Sequence, residues 1–128
     1  MKKYYGLTKT ETEIMDIFWN CEKDGKKELS FKEMTEYSQT VLGKAWKMQT
    51  LNTFLTNLHK MGLLGIRAQG RKNMYYAACT REEHIHNWTK SLVKTEFENS
   101  IGKLLAAYTG GEELSDEEAE EILKIIGR

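Results

Sequence analysis

The sequence predicts a mostly helical chain with one small β-hairpin, in which a domain over residues 1–80 is followed by a helical module over 81–128. Three observations predict it. Four Ser/Thr-x-x-Glu signatures, Thr8 with Glu11, Ser30 with Glu33, Thr80 with Glu83 and Ser115 with Glu118, mark helix starts. In each, the hydroxyl accepts from the third helical amide while the Glu carboxylate reaches back to the cap amide. Two short apolar runs, Leu63–Gln69 and Met74–Thr80, flank Gly70-Arg71-Lys72-Asn73 in the manner of a hairpin. Finally, 128 residues, 40% hydrophobic and without Pro, suffice for one domain with a small appendage.

The first helix runs from Thr8 to about Cys21, burying Ile14, Met15, Ile17 and Phe18, with Trp19 closing its end. Glu22–Glu28 is a charged turn that leaves room for a short strand near Glu28 and Leu29. The second helix opens at Ser30, turns Phe31, Met34, Tyr37, Val41 and Leu42 inward and stops at Gly43. The third spans about Met48 to Met61, where Leu51, Phe54, Leu55, Leu58 and Met61 recur at the spacing of one buried face and Gly62 ends the helix. In the hairpin that follows, Tyr75 and Tyr76 take opposite faces, one core and one surface. Three helices and then a hairpin with a basic tip are the order of a winged helix-turn-helix. Beyond it, one long helix is expected from Thr80 to about Thr109, ended by Gly110-Gly111. A last helix opens at Ser115 and carries Ala119, Ile122, Leu123, Ile125 and Ile126.

Formal net charge is zero, but the charge is unevenly placed: residues 1–81 sum to +6 and residues 82–128 to −6. No Asp or Glu occurs between Glu36 and Glu82, a window of 45 residues that holds Lys44, Lys47, Lys60, Arg67, Arg71, Lys72 and Arg81. A surface without carboxylates over that length suits a polyanionic partner. A solvated face of chance composition is the alternative.

The third helix sharpens the choice. Its outer face carries Gln49, Thr50, Asn52, Thr53, Thr56, Asn57 and Lys60, although Thr weakens a helix and Glu would strengthen it. Asn, Gln and Thr can read base edges in a major groove, and an acid there would meet phosphates. Gln49, Asn52, Thr53 and Thr56 are therefore the base-reading candidates. Lys44, Lys47, Thr50, Asn57, Lys60, Arg71 and Lys72 are the phosphate candidates, with double-stranded DNA as the partner. Trp46-Lys47-Met48 offers no capping oxygen, so the first amides of this helix are open to a phosphate or to water. The rival reading is a winged-helix protein–protein interaction module without base readout.

In the tail, Ile85, Trp88, Leu92, Ile101, Leu104, Leu105 and Tyr108 form an apolar stripe, joined by Ile122, Leu123 and Ile126 of the last helix. Fewer than 50 residues cannot readily bury that stripe alone. A second copy of the chain is the simplest cover, and a two-fold dimer would present two reading helices to two half-sites. Folding back on the first domain is the alternative.

Other classes find little support. His59 falls on the polar side of the third helix, His84 and His86 point to different faces, and no Ser/His/Asp set, phosphate loop or HExxH occurs. Cys21 and Cys79 match no metal-ligand spacing and define no disulfide framework, which suits reduced cytosolic thiols with no metal or cofactor. The start MKKYYGLTKTE has no signal-peptide core, and no stretch approaches the ~18 apolar residues of a membrane span. A cytoplasmic, non-enzymatic protein is expected.

Several blocks carry a family resemblance. L-T-x-x-E-x-E-I-M-x-x-x-W (Leu7 to Trp19), W-x-x-x-T-x-x-T-x-L-x-x-L-x-K-x-G (Trp46 to Gly62), paired Tyr75-Tyr76 and L-S-x-E-E (Leu114 to Glu118) resemble the penicillinase repressor family, which includes methicillin-resistance and copper-responsive repressors. The resemblance implies a homodimeric winged-helix repressor bound to an inverted-repeat operator, with the last helices as dimerisation module. It places Thr50, Thr53 and Thr56 on the family's polar reading face. Lys47 and Met48 stand where members often have Ser-Pro, and Gln49, Asn52 and Asn57 replace positions that are often basic. The Cys-rich metal box of the copper branch is absent. By the same resemblance a regulatory protease would act near Leu105–Thr109, although Ala107-Tyr108 departs from the usual Asn-Phe pair.

Overall fold

A computed structural model describes residues 4–127. Lys2 and Lys3, part of the polar start noted above, lie outside the described residues, as does Arg128. In chain order the elements are α1 (Lys9–Lys23), β1 (Glu28–Ser30), α2 (Phe31–Thr40), α3 (Met48–Lys60), β2 (Leu64–Gln69), β3 (Lys72–Ala77), α4 (Arg81–Glu96), α5 (Ile101–Thr109) and α6 (Asp116–Ile125). The chain divides after Trp88, within α4, into two compact units.

The first unit is a winged helix. All four capping boxes form, including those of Thr8 and Ser30 that open α1 and α2. Ser30 ends β1 and caps α2 at once, so strand and helix meet without a linker. Helix α1 buries Ile14, Met15, Ile17 and Phe18, and α3 buries Leu51, Leu55 and Leu58. These meet Leu29, Met34, Leu63, Leu64 and Tyr75 in one core. Trp19 lies inside α1, which runs on to Lys23, rather than closing it. Its Nε1 donates to the Cys79 carbonyl at 2.9 Å, and the Arg81 guanidinium lies over its ring while pairing with Asp16.

The end of α3 sets the sheet. Gly62 takes φ +82, a left-handed conformation that side chains resist. It lets the Leu63 amide donate to the Leu58 carbonyl and the Gly62 amide to that of His59, each at 3.0 Å, in the Schellman pattern. The chain therefore turns back under the helix, placing Leu63 and Leu64 in the core as β2 starts. Strand β3 lies between β1 and β2, antiparallel to both, with Leu29 and Ile66 on either side of Tyr75. Tyr75 is the core member of its pair, whereas Tyr76 lies across Gly65 on the other face, filling the space a Cβ there would need. The short strand near Glu28 is real and completes a three-stranded sheet.

Several expectations need correction. Met61, expected on the buried face of the third helix, is instead exposed and is the C-cap of α3. The tail helix expected to run unbroken to Thr109 is two helices, because Glu98 and Asn99 both take positive φ, 51° and 61°. Asn tolerates this conformation better than most residues, and Ser100 recaps the chain by accepting from the Lys103 amide. Val41 is exposed rather than inward, since α2 ends at Thr40 and Val41 is its C-cap. Lys72 and Asn73 belong to β3, paired with Gln69 and Ala68, so the turn itself is only Gly70-Arg71.

In the second unit, α5 ends at Gly110 (φ +63), whose amide donates to the Ala106 carbonyl. Tyr108 donates its hydroxyl to Glu118 at 2.7 Å, tying α5 to α6. Leu104, Leu105, Leu114, Ile122 and Ile125 line an open apolar groove of about 340 Å³ between them. Ile101, Tyr108, Leu123, Ile125 and Ile126 are exposed.

The cap of α2 generates a pH prediction. Glu33 bonds Lys26 and the Ser30 amide, and these in that order hold its carboxyl below the ordinary 4.5. A carboxyl lowered by folding stabilises the native state above its unfolded value, and that contribution disappears as pH falls through the folded value. Glu33→Gln should therefore lower stability at neutral pH and flatten its decline below about pH 4.5. Urea unfolding across that range checks this; an unchanged acid slope would contradict it.

Candidate nucleic-acid interface

The outer surface of α3 follows from how its inner surface is held. Leu51, Leu55 and Leu58 are at most 2% exposed, and the rotation this imposes leaves Gln49, Thr50, Asn52, Thr53, Asn57 and Lys60 exposed, with Thr56 half-buried. Phe54 is also half-buried and packs on Trp46 at 5.1 Å between ring centroids, pinning the segment that leads into the helix. Thr53 donates its hydroxyl to the Gln49 carbonyl at 2.9 Å, which leaves its oxygen able to accept.

The amino end of α3 is uncapped. Its N-cap is Lys47, in extended conformation, and no side chain accepts from the first turn, which carries no acid. Exposed amides and the positive end of the helix dipole therefore face outward beside Lys44 and Lys47, both exposed. At the other end, His59 Nδ1 lies 2.8 Å from the Leu64 carbonyl, fastening the helix to β2 rather than offering a free imidazole.

The wing meets this leading end. Met48, Gln49 and Asn52 of α3 face Lys72 and Asn73 of β3 across a groove of about 510 Å³, with Phe31 and Tyr75 also lining it. Arg71, Lys72 and Asn73 are exposed. Sequence reasoning named Lys72 but missed Asn73 and Met48. Asn73 was set in the turn, although the strand alternation that places Tyr75 in the core also orders its neighbours.

Arg67 contributes differently. Its guanidinium bonds both Glu28 carboxylate oxygens at 2.8 Å and the Gln69 amide oxygen at 2.7 Å. That bond and the nearby charge hold the Glu28 carboxyl below its ordinary value. The cation is thus committed within the sheet. Thr50, Asn57 and Lys60 lie beside Gln49, Asn52, Thr53 and Thr56 along α3.

The tail candidates fall in two places. In the first unit, Trp88 meets Tyr5 edge-on at 5.5 Å, and Ile85 lines a small cavity with Tyr4, Tyr5 and Leu7. Leu92, Ile101, Leu104, Leu105, Tyr108, Ile122, Leu123 and Ile126 belong to the second unit. The Leu105–Thr109 stretch forms the end of α5, with Ala106, Ala107 and Tyr108 exposed. Among the described residues no group of His, Cys, Asp and Glu could hold a metal ion, and no helix is long and apolar enough to cross a membrane. Burial raises the Cys79 thiol, with the Glu83 charge adding to it.

Known proteins resemble this chain in sequence and in fold. A family model described as penicillinase repressor matches residues 7–128. The methicillin resistance regulatory protein MecI of Staphylococcus aureus strain N315 is 25% identical over 126 residues, covering 98% of this chain and 97% of MecI. The DNA binding domain of the repressor BlaI aligns with 60% of this chain and 85% of its own at 25% identity and a TM-score of 0.47. The hsRosR-S1 structure aligns with 84% of this chain and 96% of its own at 16% identity and a TM-score of 0.51.

Two cations of the wing, Lys72 and Arg67, separate by experiment. Lys72→Ala should weaken binding to every duplex and lower the salt slope by about one. Arg67→Ala should leave that slope unchanged. Fluorescence anisotropy with duplex DNA from low to moderate salt reads both, and equal slope losses would show that the Glu28 pair does not withhold Arg67.

Proposed function

The chain belongs to the penicillinase repressor family, and we propose that it is a cytoplasmic, dimeric, sequence-specific DNA-binding repressor of transcription that grips an inverted-repeat operator. The observation that carries the reading is the leading end of α3. An acid-free polar face, an uncapped helix start and the Lys72 side of the wing converge there, on a scaffold whose rotation is held by three buried leucines.

In this reading Gln49, Asn52, Thr53 and Thr56 contact base edges in the major groove. Asn and Gln bond adenine in a bidentate manner, and a Thr methyl packs on thymine. Lys44, Lys47, Thr50, Asn57, Lys60, Arg71 and Lys72 contact phosphates and fix the register. Neutral amides in place of basic side chains on this face suit an operator that differs from the one most relatives read. A second copy of the chain covers the apolar surface of α5 and α6 and sets the half-site spacing.

The test is binding to the chain's own promoter and to random duplex across a salt series. A repressor of this kind shows a steep salt dependence and a preference of roughly 10³-fold or more for its operator. No duplex binding at low salt would favour a protein-binding use of the fold. Asn52→Ala should cost about 1–3 kcal/mol at the operator and relax preference at one position; equal loss on all sequences would exclude base contact there. Leu104→Asp should yield monomers by sedimentation and weaken operator binding, whereas an unchanged dimer would refute the role of the tail.

A further inference from the structure

Met48 is the first residue of α3, and its side chain is 75% exposed. Its position differs from that of most exposed apolar side chains. Gln49 and Asn52 stand beside it, Lys72 and Asn73 face it across the groove, and Phe31 and Tyr75 supply apolar surface there. An isolated exposed methionine is ordinary. One set among polar groups at the leading end of a helix that reads bases meets whatever apolar feature the groove offers. In the major groove that feature is the C5 methyl of thymine.

We propose that Met48 is a specificity-determining residue whose thioether packs on a thymine methyl at the edge of each half-site. The inference rests on the DNA-binding reading above and goes beyond its set of polar contacts. Three properties suit the residue to the task. Its side chain is long, unbranched and polarisable, so it follows a methyl without tight preorganisation. It has no hydrogen-bonding donor, so it discriminates thymine from cytosine by the methyl alone. It sits one residue before Gln49 and one helical turn from Asn52, so an apolar and two amide contacts fall on neighbouring base pairs. Burying one methyl is worth about a fourfold change in affinity.

The experiment uses the full-length protein and a duplex enriched from a random pool by binding to it. Each thymine is replaced in turn by deoxyuridine, which removes only the C5 methyl, and affinity is read by fluorescence anisotropy. The wild type should lose about fourfold at a position in each half-site, beside any that the Thr methyls of α3 sense. Met48→Ala should lose a similar factor on the unmodified duplex and become indifferent to uracil at that position. Met48→Leu, which keeps an apolar side chain, should retain most of the sensitivity. Uracil tolerated at every position, or sensitivity undiminished in Met48→Ala, overturns the inference while leaving sequence-specific binding intact. A pool that yields no preferred duplex overturns the DNA-binding reading and this inference with it.

Discussion

The seating of α3 is the constraint from which the first unit follows. Leu51, Leu55 and Leu58 are buried in one core with residues of α1, α2 and the sheet, and three anchors over two turns fix the rotation of the helix. Truncating one such leucine to alanine in a core of this kind costs about 2–5 kcal/mol, comparable to much of a small domain's stability. The same anchors define the outer face, which can then hold residues that are poor for helix formation. Phe54 on Trp46 fixes how the chain enters the helix, and Gly62 fixes how it leaves into β2.

The electrostatics are arranged around that helix. Acids in the first unit are confined to residues up to Glu36 and after Arg81. Several of them are used internally: Glu28 holds Arg67, Asp16 holds Arg81, and Glu33 holds Lys26 and the cap of α2. The cations of the leading end of α3 and of the wing, Lys44, Lys47, Arg71 and Lys72, are exposed and carry no carboxylate neighbours from their own segment. The field outside α3 is therefore set by amides, ammonium groups and a helix start, all favourable to phosphate.

Much of this was legible in the sequence because its signals are local. Capping boxes depend on residues three apart, and all four positions open helices where expected. The missing cap of α3 was legible for the same reason. The break at Glu98-Asn99 was hidden, since the apolar stripe continues on both sides and neither Gly nor Pro marks it. Asn99 followed by Ser100 was the available sign: a residue tolerant of positive φ, then a cap. Val41 and Lys72 were misplaced by a residue or two at element ends, where periodicity says least. The capture of Arg67 by Glu28, 39 residues away, and the meeting of Met48 with Asn73 depend on sheet order. No local pattern records that order.

In the proposed complex the leading end of α3 and the adjoining strand of the wing face DNA. Amide chemical-shift mapping tests it most directly, with isotope-labelled protein titrated with a duplex enriched by binding. The largest shifts are expected from Met48 to Asn57 and at Lys72 and Asn73, with the buried amides of α1 little changed. Shifts concentrated in α1 or in α5 and α6, with α3 unmoved, would contradict it.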